Sequence, residues 1–294
     1  MSQLLLGLLC LPCVLGLGAD DLRQRVEALI AESGAEVAVA FRALEAGPGS
    51  DELLIAPDEV FHAASTMKIP VMLELFRQAH AGELSLDDTL VIDDEFSSIV
   101  DGSPYRLSAE DDSDQEIYQH LGERRSLRAL CEAMIVVSSN LATNLLIEHL
   151  GVERIRKTVT ELGADGMSVV RGVEDIKAYE AGRSNTTTAR ALLVLLEALA
   201  RGRAVSPEAD REMIAILERQ HFADGIPAGV PDGTRVAHKT GNITAIHHDA
   251  GIVWAPRPFV MVVLVRGVDD EARSARLIAE LTREVHRASQ GAGR

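Results

Sequence analysis

Ser65 and Lys68 stand three residues apart in Phe61-His62-Ala63-Ala64-Ser65-Thr66-Met67-Lys68, just before the apolar run Ile69-Pro70-Val71-Met72-Leu73-Glu74-Leu75-Phe76. On a helix, residues i and i+3 share a face, so a hydroxyl and an amine would project into the same space. The unpaired N–H groups of a helix N-terminus favour negative charge. A nucleophile, its base and part of an oxyanion site would therefore lie within one short stretch. Alone, the pair carries little weight, because average residue usage yields about one chance Ser-x-x-Lys in a chain this long. Ser65 also reads as a helix N-cap, and Lys68 as a solvated first-turn lysine.

Two further polar triplets add weight. Ser138-Ser139-Asn140 falls on a turn between two apolar helices, where a hydroxyl and an amide have no core to enter. Lys239-Thr240-Gly241 is expected to end a strand, with the glycine permitting close approach of a ligand or backbone. Lys-Thr-Gly arises by chance in roughly a few per cent of such chains. The three together, on a helix start, an interhelix turn and a strand end, are hard to assign to accident.

The elements that would position them follow from periodicity and punctuation. Asp20 to Glu32 reads as a helix stopped by Gly34; Val37 to Leu44 and Glu52 to Ala56 read as a hairpin around a turn at 46–50. The serine helix runs from about Ser65 to His80, with an irregular first turn because Pro70 forfeits a backbone bond. Asp87 to Glu123 is acidic and turn-rich, and is expected to be a mostly irregular, solvated excursion. Helices follow over Ser126 to Val137, Leu141 to Leu150 and Val152 to Leu162, then a glycine-punctuated loop, Arg171 to Asn185. Thr186-Thr187-Thr188 caps an apolar helix to about Arg201, and Pro207 opens another that ends near Gln220. Arg235 to Thr240, Asp249 to Trp254 and Phe259 to Arg266 read as strands, before a last amphipathic helix from Asp269 to Ala288. The expected fold is α+β: an antiparallel five-stranded sheet flanked by helices (20–60 and 207–294), with an inserted all-α lobe (61–206) and a cleft between them.

The chain has 294 residues, 47% of them hydrophobic but only 3% aromatic, so its core must be aliphatic. Its formal net charge of −16 disfavours nucleic acid and anionic membrane as partners. The apolar run Leu4 to Leu17, followed by Gly18-Ala19, is expected to be an export signal occupying residues 1–19, although no Lys or Arg precedes it. Export would make the protein periplasmic or secreted. Neither Cys10 nor Cys13 is preceded by small residues, so no lipid anchor is expected. Cys131 would then be the single cysteine left, set among apolar residues at helical spacing and chemically inert. No spacing suggests a zinc or EF-hand site or a phosphate cradle, and no cofactor is expected.

The three motifs and the order of elements resemble the penicillin-recognising serine hydrolases, and within them the class A β-lactamases. The resemblance spans nearly all of the chain from Asp20 and implies a β-lactamase/transpeptidase-like fold. It also implies that Ser65 attacks a lactam or amide carbonyl, Lys68 takes or relays its proton, and Ser138 passes a proton to the leaving nitrogen. Asn140 would hold the substrate's side-chain amide, and Lys239, Thr240 and Gly241 would bind its carboxylate side. The oxyanion would rest between the backbone N–H groups of Ser65 and Asn242. The Lys239 ammonium would lower the pKa of Lys68. The partner would be a small-molecule β-lactam or a peptidoglycan peptide, met by a monomer.

Departures from the family pattern keep rival readings open. Ser139 stands where the family has a largely structural aspartate. The family's deacylating glutamate lies two residues past an arginine and four before an asparagine. Here Glu174 lies three past Arg171, with Ala178 in the asparagine's place. Glu174 is the best-placed candidate and Glu180 the second, while a loop carboxylate paired with Arg171 or Lys177 is the plain alternative for Glu174. Met72 and Cys131 occupy the positions of a disulfide found in some relatives. His247 could replace a family arginine that contacts the substrate carboxylate, or be a strand-edge histidine with no ligand. A D,D-peptidase or transpeptidase, or a sensor that acylates once, shares every acylation residue.

Overall fold

The computed structural model describes residues 17–47 and 51–291. The expected export signal lies outside the described residues except where the first helix begins, and the turn residues 48–50 lie outside them too. In chain order the elements are α1 (Leu17–Ser33), β1 (Glu36–Ala43), β2 (Glu52–Ile55), β3 (Phe61–His62), α2 (Lys68–His80), β4 (Thr89–Val91), β5 (Glu95–Ser97), β6 (Pro104–Arg106) and β7 (Arg124–Ser126). Then come α3 (Leu127–Val136), α4 (Asn140–Leu150), α5 (Val152–Glu161), α6 (Ile176–Glu180), β8 (Thr186–Thr187), α7 (Ala189–Ala200) and α8 (Pro207–Leu217). The chain closes with β9 (Arg235–Ile243), β10 (Ile246–Trp254), β11 (Phe259–Arg266) and α9 (Glu271–Ser289).

The expected five-stranded antiparallel sheet is present, in the order β2-β1-β11-β10-β9. Alternation along β1 sorts the two faces. Val37, Val39 and Phe41 pack with Leu22 and Val26 of α1 and Leu277, Leu281 and Val285 of α9. Ala38 and Ala40 join the other core with Leu192, Leu196 and Leu199 of α7. Their small side chains let α7 lie close against β1, β10 and β11. β11 sits in mid-sheet between two helical layers, which is why Phe-Val-Met-Val-Val-Leu-Val is apolar without alternation.

α2 is the axis of the helical part. From Lys68 to Phe76 every residue is buried, as expected of a helix apolar all round. Its one acid in that run, Glu74, accepts hydrogen bonds from Gln78 Nε2 at 2.7 Å and from Thr158 Oγ1. Met72 and Cys131 are fully buried, and burial pushes the Cys131 thiol up to about 12. No helix among the described residues is long and apolar enough to cross a membrane.

The serine helix opens with the expected irregular turn, a 3-10 turn over Ala64–Met67 before α2 proper. Other elements differ from the expectation. The acidic excursion carries two short ladders, β4 with β7 and β5 with β6. Of the three threonines, Thr188 is the cap of α7, while Thr186–Thr187 pairs with Phe61–His62. β9 continues to Ile243, so Lys239-Thr240-Gly241 lies within a strand rather than at its end. The loop after Arg171 contains α6, a five-residue helix too short to show a period.

Candidate active site

The turn that carries Ser65 is held from two sides. The His62 ring nitrogen Nδ1 accepts from the Ala64 N–H at 3.0 Å. On β10, His248 Nδ1 accepts from the Val265 N–H at 3.2 Å, so the ring proton must sit on Nε2, which donates to the His62 carbonyl at 2.9 Å. Burial lowers the His248 pKa to about 4, so the ring is a neutral strut between sheet and serine turn. Gly241 completes the approach: a Cβ there would lie 3.1 Å from the backbone nitrogens of Ser65 and Thr66. Ser65 is partly exposed, whereas Thr66, Met67 and Lys68 are buried. Neither plain reading of the pair survives, since Ala63 is the cap position of the 3-10 turn and Lys68 is 0% exposed.

Lys68 Nζ donates to the Ser138 carbonyl at 2.7 Å, to Ser138 Oγ at 3.1 Å and to Asn140 Oδ1 at 2.9 Å. Lys239 Nζ, also fully buried, donates to Ser138 Oγ at 3.1 Å and to the Thr240 carbonyl at 2.9 Å. One hydroxyl therefore bridges two amines. Burial lowers the Lys68 pKa to about 7, against the opposing pull of Asp112 and Glu174. The expected cause, the Lys239 ammonium, is not what lowers it; desolvation does, and the charge effect between the two amines falls on Lys239 instead. Lys239 is lowered strongly as well, by burial first and then by Lys68.

Ser138 holds a left-handed backbone, φ 63°, which is unfavourable outside glycine. Ser139, in the place of the family's aspartate, is fully buried and caps α4 by accepting from the Ala142 N–H at 3.3 Å. The acidic excursion is not wholly a solvated face. Asp112 is 5% exposed and accepts from the Asn140 and Leu141 N–H groups at the start of α4.

Glu174 also has a positive φ, 61°, on a loop tied down by residues the sequence left unmarked. Asn144 of α4 grips Val173, accepting from its N–H at 2.7 Å and donating to its carbonyl at 3.0 Å. Asp175 accepts from Ser98 Oγ at 2.9 Å and from the Ile99 N–H at 3.0 Å. Asn185 accepts from Val170 and donates to the Arg171 carbonyl. The Glu174 carboxylate is in turn reached by Asn140 Nδ2 at 3.5 Å. Partial enclosure raises its pKa, with Asp111 adding to the rise and Arg171 opposing it.

Ser65, Ser138, Asn140, Glu174, Thr240 and Asn242 line one cleft of about 840 Å³, with Lys68 and Lys239 buried alongside Ser138. Glu174 and Glu180 are both exposed, but of the two only Glu174 lines the cleft. The Asn242 side chain bonds Glu271 of α9. His247 is buried at 6% exposure and faces Ser274 Oγ at 3.0 Å, within a strand paired on both sides. It is thus neither at a strand edge nor against the cleft. Among the described residues no group of three His, Cys, Asp or Glu is placed to hold a metal.

A model of the β-lactamase enzyme family matches residues 21–289. The β-lactamase of Bacillus licheniformis is 30% identical over 239 residues, spanning 79% of this chain and 73% of that protein. β-Lactamase CTX-M-97 of Escherichia coli is 26% identical over 264 residues, 88% of this chain and 85% of its own. Among solved structures, a β-lactamase from Sphaerobacter thermophilus superposes with a TM-score of 0.75 at 28% identity, covering 90% of this chain and 97% of that one. A penicillin G acyl-enzyme of a PBP-A variant superposes at 0.77 with 26% identity, covering 92% and 97%.

Proposed function

This chain belongs to the β-lactamase enzyme family, and from that membership we propose that it is an exported class A serine β-lactamase working through a Ser65 acyl-enzyme. Ser65 Oγ attacks the lactam carbonyl, and its proton passes to the neutral form of Lys68. The carbonyl oxygen gains the electron pair and rests between the Ser65 and Asn242 N–H groups, donors worth about 3–4 kcal/mol each in such sites. As the intermediate collapses the C–N bond breaks, and Ser138 Oγ gives its proton to the departing nitrogen. Lys68 returns a proton to Ser138, closing the circuit. Glu174 then takes a proton from water, whose oxygen attacks the ester carbonyl; as the acyl C–Oγ bond breaks, that proton passes from Glu174 to Ser65 Oγ and both groups are restored.

The observation that carries this reading is the position of Ser138 Oγ, 3.1 Å from both buried amines. A hydroxyl so placed can lose a proton to the lactam nitrogen and recover it at once. Thr240 and Asn242 on the cleft wall suit the substrate's carboxylate and amide ends, and Asn140 suits its side-chain amide. The apolar stretch before Asp20 supports export.

One observation favours a second reading, a D,D-peptidase. The deacylation loop has an extra residue between Arg171 and Glu174 and lacks the asparagine, and the acylated PBP-A structure is similar over 92% of the chain. A chromogenic cephalosporin separates the two. Continued turnover supports the β-lactamase; a burst of one equivalent, with cleavage of a D-Ala-D-Ala peptide, supports the peptidase. Glu174→Gln should trap the acyl-enzyme and Glu180→Gln should not. Normal turnover in both variants would remove either carboxylate from the role.

A further inference from the structure

Resting on the functional reading above, we propose that Asp112 is a positioning residue: its buried carboxylate, delivered by the acidic excursion, aims Ser138 and Asn140 at Lys68. Four donors hold that carboxylate. The Asn140 N–H reaches its two oxygens at 2.9 and 3.0 Å, and the Leu141 N–H reaches Oδ2 at 2.8 Å. Tyr118 Oη donates to Oδ2 at 3.0 Å, and the Asp114 N–H to Oδ1 at 3.0 Å. The first two are free N–H groups of the first turn of α4, where a negative charge is most stabilising. With Ser139 taking the Ala142 N–H, three successive donors at this helix start are satisfied by side chains.

The consequence for the site is geometric. Asn140 is clamped by its backbone to Asp112, and its side-chain Oδ1 accepts from Lys68 Nζ at 2.9 Å. Two residues earlier, Ser138 is held at φ 63°, a conformation that persists only where the surroundings over-determine it. The Ser139 N–H anchors the turn from below, to the Ala133 carbonyl at 3.0 Å. Asp112 anchors it from above, across 28 residues of sequence. The carboxylate is also one of two anions near Lys68, the other being Glu174 of the following loop; Lys239 from β9 is the neighbouring cation, and Ser138 and Asn140 face it as neutral dipoles. Removing the Asp112 charge therefore leaves the neutral amine more favoured.

The test compares Asp112→Asn, Tyr118→Phe and the wild type in kcat/KM against pH, with a chromogenic cephalosporin, alongside intact mass. The exposed Glu116→Gln serves as control. Asp112→Asn should lower the alkaline plateau by about ten- to a hundredfold, the scale of misaligned catalytic groups. Its acid limb should move to lower pH. Asp112→Glu should recover part of the plateau and return the limb toward its wild-type position. A merely structural role would lower activity equally at all pH and leave the limb in place. If Asp112→Asn fails to fold, Tyr118→Phe carries the test, since it removes one donor and leaves the backbone clamp. It should cost a smaller part of the plateau, about two- to fivefold, and no loss would overturn the proposal. A folded Asp112→Asn with wild-type plateau and limb overturns it alone. A wild type that neither hydrolyses the cephalosporin nor forms a covalent adduct overturns the functional reading and this proposal together.

Discussion

Replacing Lys68 by arginine separates a base from a mere cation. Arginine keeps the positive charge and the donors to Ser138 and Asn140, but does not deprotonate in proteins. In the native site burial lowers the Lys68 pKa to about 7. About a tenth of the amine is then neutral at pH 6 and about nine-tenths at pH 8, so kcat/KM should rise nearly tenfold per unit on the acid side and level off above neutrality. Lys68→Arg should lose the base contribution, about 10²- to 10⁴-fold or roughly 3–5 kcal/mol of barrier, and with it the acid limb. The assay is initial cephalosporin hydrolysis from pH 5 to 9, with a thermal melt to show that the larger side chain is accommodated. A folded Lys68→Arg within fivefold of wild type, or an acid limb centred above pH 9, would refute the reasoning.

Other outcomes follow from packing. A Cβ at Gly172 would lie 2.6 Å from Asn144 Oδ1, whose side chain is 1% exposed and holds Val173. Gly172→Ala should therefore shift the Glu174 loop, sparing the acylation burst in stopped flow while slowing the steady state. Leu196→Ala, in the core between α7 and the sheet, should cost about 2–5 kcal/mol in urea titration with an unchanged pH profile. Cys131 should resist a thiol reagent in the folded protein and react in denaturant, because its thiol is buried and weakly acidic.

Periodicity and turn chemistry were enough for the sheet and the main helices. The alternation of Val37, Val39 and Phe41 with Ala38 and Ala40, and the uninterrupted apolar β11, are local signals. Ser65, Ser138 and Lys239 were legible because each sits in a short polar cluster beside apolar neighbours. Their supporting contacts were not. Asp112 looked like one more acid in an acidic stretch, because its partners, the Asn140 and Leu141 N–H groups, lie 28 and 29 residues away. Asn144 sits inside an apolar helix and announces nothing until Val173 meets it. Nothing in the sequence marks His248, whose two ring bonds run to backbone groups of β3 and β11. Side-chain-to-backbone bonds across the fold have no period. The acidic composition of that stretch, which suggested a solvated face, concealed its one buried carboxylate.

Intact mass followed by peptide mapping tests the central claim most directly. Glu174→Gln, mixed with benzylpenicillin and quenched within seconds, should gain one penicilloyl mass, located on the peptide bearing Ser65 and absent when Ser65→Ala is combined with it. An adduct on the peptide bearing Ser138, or no adduct while hydrolysis proceeds, would contradict the account.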